Sequence, residues 1–389
     1  MSKLNKIFYG PAGTGKTRRA IEEAVVIVKN SNSQDNLNVS DLNTMTYENK
    51  IEFFKTISTL PDKLKITDDE LLKDIHNPSM KYEQIEKKQY KGYSKTDLIN
   101  MKNDVLEYRL YPLIETVTFH PSYSYQDFVE GISVETIDIN QIIYKAKDGI
   151  FKKICDRANN NSDYNYVLII DEINRGDISS IFGELFTLLE DSKRKNGKEE
   201  MSINLPYSKD DKGNPKRLTV PSNLYIVATM NTVDKSIALI DVALRRRFDF
   251  EECMPKYDLN ELKIYTEIDL PKLLSSINER ITILKNEHYQ IGHSYFLNID
   301  SLEKLIEIMK KNIIPLLQEY FYDDWQSICA VLNQSYEHQN KNLLFNMSDV
   351  KSNKSIFKVE FNPLIEYQNK KIFTLKEKIT TEAIKSIYE

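Results

Sequence analysis

Cysteine is scarce: the 389 residues hold only Cys155, Cys253 and Cys329, far apart and without the paired spacing of a metal site. That excludes a disulfide scaffold and points to buried free thiols in a reducing compartment. Long hydrophobic runs are lacking too. Ala24 to Val28, the longest aliphatic stretch near the N-terminus, is far too short to cross a bilayer, and Met1-Ser2-Lys3-Leu4-Asn5 is no signal peptide, so the expected location is cytoplasmic. Nor is there an excess of basic charge: 53 Lys and Arg against 58 Asp and Glu give a net charge of -5, which argues against general nucleic-acid affinity. Any DNA contact must be local. No internal repeat is visible. What remains is an ordinary soluble composition, 41% hydrophobic and 29% charged, in a chain long enough for about two or three domains.

Against this plain background, Gly10-Pro11-Ala12-Gly13-Thr14-Gly15-Lys16-Thr17 follows directly on the apolar Ile7-Phe8-Tyr9 and fits G-x-x-x-x-G-K-[ST] at every fixed position. Such a string is a phosphate cradle. Its backbone N–H groups can wrap a triphosphate, Lys16 can reach the β and γ oxygens, and the Thr17 hydroxyl can hold Mg²⁺ at the start of the following helix. Because the string begins at residue 10, no recognition domain is expected ahead of it. Chance alone yields one such string in about a hundred chains of this length, so further residues must decide.

A helical pattern runs from Thr17 to about Lys29, and a loop rich in Asn, Ser and Asp follows to Asn43. From about Thr46 to Pro112 the spacing of Ile51, Phe54 and Ile57 reads as a mostly helical insertion, at about 31–115 overall. Strand signals appear at Thr116–Phe119, Tyr166–Ile170 and Leu224–Thr229, apolar runs of the kind found in sheets covered on both faces. With intervening helices they imply a parallel α/β core. Ser202 to Val220 reads as a hairpin around the turn cluster Lys209 to Pro215. From Leu259 the pattern is helical, with Leu302, Leu305, Ile306 and Met309 as one apolar face, and Ile356–Phe361 alternates like a strand. The expected domains are therefore 1–255, α/β with the insertion, 256–335, helical, and 336–389, an extension with a possible β element.

Val167-Leu168-Ile169-Ile170 ends in the adjacent carboxylates Asp171 and Glu172. In a phosphate-cradle enzyme, Asp171 can hold Mg²⁺ through water while Glu172 polarises the attacking water. Thr229-Met230-Asn231-Thr232 places an amide at another strand end, where Asn231 either senses the γ-phosphate or forms a turn. Asp234 and Lys235 follow; either contacts nucleotide, or the two pair with each other. Arg245-Arg246-Arg247, set between Leu244 and Phe248, can neutralise charge on a phosphoryl group of a neighbouring subunit. His120, Tyr123, Tyr125 and Phe128 read as a packed aromatic turn. His293 is either a nucleotide contact or a capped histidine of the helical part. Lys193-Arg194-Lys195 and Lys198, with the hairpin, line a pore or form a solvated loop.

Several blocks in order carry a resemblance. They are Phe119-His120-Pro121-Ser122-Tyr123-Ser124-Tyr125-Gln126-Asp127-Phe128, Asp171-Glu172-Ile173-Asn174-Arg175-Gly176 with Ile181-Phe182-Gly183-Glu184-Leu185, Met230-Asn231-Thr232-Val233-Asp234-Lys235-Ser236, Asp241 to Phe248, Ile291-Gly292-His293-Ser294-Tyr295-Phe296, and Pro315 to Trp325. Together they resemble the McrB family of AAA+ GTPases. The resemblance implies a P-loop core with sheet order 5-1-4-3-2 and a C-terminal helical lid. It implies a GTP-hydrolysing, Mg²⁺-dependent hexameric ring working with an McrC-type nuclease in restriction of modified foreign DNA, an anti-phage role. Asn231 would position water, and Arg246 and Arg247 would face a neighbour's nucleotide. GTP against ATP stays open, because the cradle reads phosphates. The usual architecture of the family places a DNA-recognition domain before the motor. Here target recognition is expected from the 31–115 insertion, the tail or another chain. Two other classes remain: a MoxR- or midasin-like ATPase that remodels proteins, which shares Asp-Glu-Ile-Asn-Arg, and a non-motor regulatory short subunit of a restriction ring.

Overall fold

The computed structural model describes residues 4–31, 113–138, 141–233, 242–265, 267–337, 343–349 and 371–389. Residues 32–112 of the expected 31–115 insertion, Asp234, Lys235 and the alternating Ile356–Phe361 lie outside the described residues. The chain divides into two compact units: Met1–Tyr9 with Lys16–Glu252, and Gly10–Gly15 with Cys253–Glu389.

The first unit is built on β1 (Asn5–Gly10), α1 (Lys16–Lys29), β2 (Ile114–Thr118), α2 (Tyr125–Phe128), β3 (Glu130–Asp138), β4 (Gln141–Asp148), α3 (Ile150–Asn160) and β5 (Tyr166–Asp171). It continues through α4 (Ile178–Phe182), α5 (Leu185–Leu188), β6 (Ile203–Lys209), β7 (Pro215–Leu218), β8 (Leu224–Asn231), α6 (Val242–Arg247) and β9 (Asp249–Glu252). Five strands form one sheet in the order β2-β5-β8-β1-β9. This is the expected 5-1-4-3-2 arrangement read from its other edge. The β2–β5, β5–β8 and β1–β9 pairings are parallel. Val167 to Ile170 are wholly buried, as a central strand covered on both faces requires. Ala20, Ile21, Ala24 and Val28 make the buried face of α1, a helical spacing that fits one covering layer.

Phe128 packs edge-on against Phe119 and Phe182 and tilted against Phe151, with centroids 4.8–5.6 Å away, and Tyr123 stacks on Phe119 at 5.1 Å. The expected aromatic turn is therefore core packing, with His120 exposed beside Tyr123. The β6–β7 hairpin is antiparallel, as its turn cluster implies. A second antiparallel hairpin, β3–β4, was not signalled by the sequence. Its first residue, Glu130, is fully buried. The Glu130 carboxylate accepts the Tyr207 and Ser208 N–H groups at 2.6 and 3.1 Å and the Ser208 hydroxyl at 2.5 Å, which locks β3 to β6. Arg194, expected in a pore-lining or solvated basic cluster, is instead fully buried.

The second unit contains β10 (Ile264–Tyr265), β11 (Ile268–Asp269), α7 (Leu270–Leu284), α8 (Leu302–Ile308), a π-helical turn (Met309–Ile313), α9 (Ile314–Phe321), α10 (Trp325–Val331), β12 (Phe345–Asp349), β13 (Lys371–Leu375) and α11 (Thr381–Lys385). Side-chain caps set the starts of its helices: Asp269 accepts Lys272 N–H, Ser301 accepts Lys304 N–H, and Asp324 accepts Gln326 and Ser327 N–H. Strands β12 and β13 pair antiparallel. Trp325 stacks on Phe373 at 4.9 Å and meets Phe345 edge-on at 5.2 Å, seating that hairpin on α10. All three cysteines are buried and free. No helix among the described residues is long and apolar enough to cross a membrane.

Candidate functional site

In the first unit the chemistry collects where parallel strands end, the usual place for a ligand in an open α/β sheet. Asp171 closes β5 and Asn231 closes β8, two neighbouring strands. Lys16 and Thr17 open α1, and the Lys16 side chain is buried. Thr17 Oγ1 donates to Asp171 Oδ1 at 3.1 Å, and Thr229 Oγ1 donates to the same oxygen at 2.5 Å. Thr229 Oγ1 also accepts the Glu172 N–H at 3.0 Å. One hydroxyl thus sets the orientation of both acids. Thr229 is a residue that sequence reasoning passed over, although it lies beside Asn231 in a quoted block; its signal was a β-branched hydroxyl two positions before the strand end.

Glu172 has a left-handed backbone, φ 51° and ψ 48°. For a non-glycine residue that conformation costs on the order of 1–3 kcal/mol and persists where surrounding structure enforces it, commonly at functional sites. Its carboxylate lies 3.5 Å from the Arg175 guanidinium. The buried Asn174 donates from Nδ2 to the Asn231 carbonyl at 2.9 Å, so the turn after β5 is tied to the end of β8. Asn231 Oδ1 accepts Val233 N–H at 3.4 Å, a turn-forming contact of the kind anticipated as its alternative role.

Gly10–Gly15 fall in the second unit. Gly13 and Gly15 have φ of 76° and 79°, values that a side chain at either position would strain. A Cβ at Gly13 would also lie 2.7 Å from the Tyr295 ring. Thr14 Oγ1 donates to the Pro11 carbonyl at 3.0 Å. Gly292 N–H and Ser294 N–H donate to the carbonyls of Ala12 and Gly13, both at 3.0 Å. The Ile291–Phe296 block therefore lies along the cradle. His293 is buried, and its Nδ1 accepts Lys256 N–H at 3.1 Å. That bond leaves the proton of a neutral ring on Nε2, which lies 3.9 Å from where a Gly15 Cβ would stand. Behind this segment the wholly buried Asn278 of α7 accepts Ile291 N–H at 2.6 Å and donates to the Ile291 carbonyl at 2.9 Å and to Tyr257 at 3.1 Å. Asn278 had no sequence signal, since it is one polar residue on an otherwise apolar helix face.

The arginine run on α6 resolves into three different environments. Arg245 lies over the Phe250 ring at 5.3 Å. Arg247 pairs with Glu190 at 2.8 Å and lies 4.7 Å over the Phe186 ring. Arg246 is exposed and makes no ion pair among the described residues. Of the two arginines expected to face a neighbour's nucleotide, Arg247 thus has partners within its own chain, whereas Arg246 stands exposed.

A family model described as "McrB, alpha-helical lid domain" matches residues 269–329, and one described as "AAA domain (dynein-related subfamily)" matches 91–248. The EcoKMcrB subunit of a type IV methyl-directed restriction enzyme from Escherichia coli (strain K12) is 37% identical over 229 residues, 54% of this chain and 48% of that protein. The YdiS component of the type II restriction enzyme BsuMI from Bacillus subtilis (strain 168) is 30% identical over 161 residues, 35% of this chain and 46% of that protein. The chain spans about half the length of the curated relatives it matches. With a parallel-stranded sheet, a match to an AAA domain and a match to the McrB helical lid, the chain belongs to the McrB family of AAA+ proteins.

Proposed function

We propose that this chain is the nucleoside-triphosphate-hydrolysing motor subunit of a restriction system, using GTP in preference to ATP, assembling as a hexameric ring and driving an McrC-like nuclease against modified or foreign DNA. The observation that carries the reading is the convergence of Thr17, Asp171 and Thr229 on one carboxylate oxygen beside the strained Glu172. The match to an McrB lid and the likeness to two restriction-enzyme components support the restriction role over protein remodelling.

In this reading residues 1–255 form the motor's α/β part, 256–335 its lid and 336–389 an extension. The backbone from Gly10 to Gly15, with Lys16, binds the phosphates. Thr17 and Asp171 suit Mg²⁺: both are hard oxygen ligands, set 3.1 Å apart, and among the described residues no group of three or more His, Cys, Asp or Glu competes for a transition metal. Mg²⁺ is commonly held by one or two protein ligands and waters, and when bound it neutralises phosphate charge. Thr17 would hold it directly and Asp171 through water. Glu172 takes the proton of the attacking water, and Asn231 and Thr229 orient that arrangement. His293 Nε2–H and Asp234 are further nucleotide contacts, and Arg246 meets the triphosphate of an adjacent subunit.

The test is steady-state turnover of the full chain with GTP and with ATP, alone and with an McrC-like nuclease. GTP turnover that exceeds ATP turnover and rises with the nuclease is expected. Turnover of ATP alone would overturn the nucleotide assignment, and indifference to the nuclease would overturn the partnership.

A further inference from the structure

The end of α6 is held by a buried polar network whose supporting residues Asn5, Glu190 and Arg194 lie outside every motif block. Asn5, the first residue of β1, is wholly buried. Its Nδ2 donates to the carbonyls of Arg247 and Leu189, both at 2.9 Å. Its Oδ1 accepts Arg194 Nη2 at 2.6 Å. Arg194 is itself wholly buried and donates from Nη1 to the carbonyls of Leu224 and Pro221. Burial pushes its pKa down to about 10, with Asp191 opposing, so it is still a cation at neutral pH. Glu190, next to Leu189, pairs with the Arg247 guanidinium. The Arg247 residue is therefore gripped twice, by its carbonyl and by its side chain, from β1 and from the end of α5.

This grip dictates where the other arginines point. Successive helical residues are turned by about 100°. With Arg247 held over Phe186 and against Glu190, Arg245 projects on the far side, where it covers Phe250. Arg246 projects between them and into solvent. A six-residue helix is too short to hold its own direction in water. The network supplies that direction. An exposed helix end with no special task needs no fully buried cation and amide beneath it, since burying such groups is costly unless each is bonded.

We infer that Asn5, Arg194 and Glu190, acting through Arg247, are positioning residues that aim Arg246 at a triphosphate bound to a second copy of this chain. The inference rests on the proposed trans role of Arg246 and gives Arg247 a different role from it. Misplacement of a catalytic group by about 1 Å can lower turnover by about a hundredfold, so loosening this grip should lower kcat while leaving nucleotide KM unchanged.

Mixing experiments separate positioning from folding and from the trans reading itself. A Lys16→Ala chain keeps its arginine but loses its own site; an Arg246→Ala chain keeps its site but loses its arginine. Equimolar mixtures of the two should recover NTP turnover that neither shows alone. Glu190→Gln is then introduced into one chain at a time. Carried by the Lys16→Ala chain, which donates the arginine, it should cut the recovered kcat by about tenfold. Carried by the Arg246→Ala chain, which has no arginine left to aim, it should leave recovery as it was. Arg247→Lys in the donor, which preserves a cation for Glu190, should recover more than Arg247→Ala. Asn5→Asp, which removes both N–H donors, should behave as Glu190→Gln does; Glu190 lies nearer the surface and serves as the milder probe should Asn5→Asp fail to fold. Equal losses whichever chain carries Glu190→Gln, or no loss at all, would overturn the inference. No recovery in the parent mixture would overturn the trans reading and the inference with it.

Discussion

Thr229 Oγ1 lies 2.5 Å from Asp171 Oδ1 and at the same time accepts the backbone N–H of Glu172. The two bonds run in opposite senses through one oxygen, so the hydroxyl proton is committed to Asp171. A valine has the same shape without either bond. A hydrogen bond to a charged group contributes about 1.5–3 kcal/mol. Thr229→Val should therefore lower kcat by about tenfold to a hundredfold with nucleotide affinity little changed, and Thr229→Ser should restore most of it. Turnover paired with equilibrium nucleotide binding checks this; a variant with normal kcat would remove Thr229 from the site.

Glu172→Gln keeps the size of the side chain but removes its basicity. Proton transfer by a positioned group contributes about a hundredfold to ten-thousandfold, so NTP hydrolysis should fall into that range. Nucleotide binding and self-association should survive, because the Glu172 backbone N–H, which bonds Thr229, is untouched. Phosphate release measured beside sedimentation separates these. Unchanged turnover would refute Glu172 as the base.

The core of this fold was open to sequence reading because its strands are covered on both faces. Val167–Ile170 and Ile226–Ala228 are apolar and buried throughout, the pattern a central strand of such a sheet requires. Strand β9, Asp-Phe-Glu-Glu, is the opposite case: three acids give it poor strand propensity. It pairs at the sheet edge with β1, where Lys6 and Arg19 meet Glu251. The hairpin β3–β4 escaped for a related reason, since Ile132, Val134, Ile142 and Tyr144 stay exposed and mark no core. Of the site, Lys16, Thr17, Asp171 and Glu172 were legible because fixed spacings carry their chemistry. Asn278, Asn5 and the buried state of Arg194 were not, because each acts on backbone carbonyls or N–H groups far away in sequence.

The cysteines should be chemically quiet. Burial raises the Cys155 thiol strongly, and burial with the nearby Asp324 pushes Cys329 up to about 11. Only the thiolate reacts. A disulfide-exchange reagent at pH 8 should therefore find no rapidly reacting thiol at these positions in the native chain and all three cysteines after denaturation. The sign for stability follows: the raised pKa favours the folded state below the ordinary thiol range, and that advantage is lost as pH climbs from there toward 11. A fast-reacting native thiol mapped to Cys155 or Cys329 would contradict the packing.

The contact of residues 292–294 with the cradle gives the last prediction. A Cβ added at Gly292 would fall 1.9 Å from the Gly13 carbonyl carbon and 2.0 Å from its oxygen. Both are backbone atoms, so no side-chain rotation relieves the clash. The chain must break the Gly292–Ala12 and Ser294–Gly13 bonds or distort the loop proposed to bind phosphate. Gly292→Ala should therefore weaken nucleotide binding by tenfold or more, the effect of losing about 1.4 kcal/mol. Asn278→Ala removes the brace behind the same segment without adding bulk. It should weaken binding in the same direction and also lower thermal stability, since Ile291 N–H and C=O would be left buried without partners at about 1–3 kcal/mol each. Titration with a fluorescent nucleotide, read beside a thermal melt, distinguishes them: Gly292→Ala chiefly shifts affinity, and Asn278→Ala shifts both. Normal affinity in Gly292→Ala would mean that the cradle does not need this contact to bind phosphate.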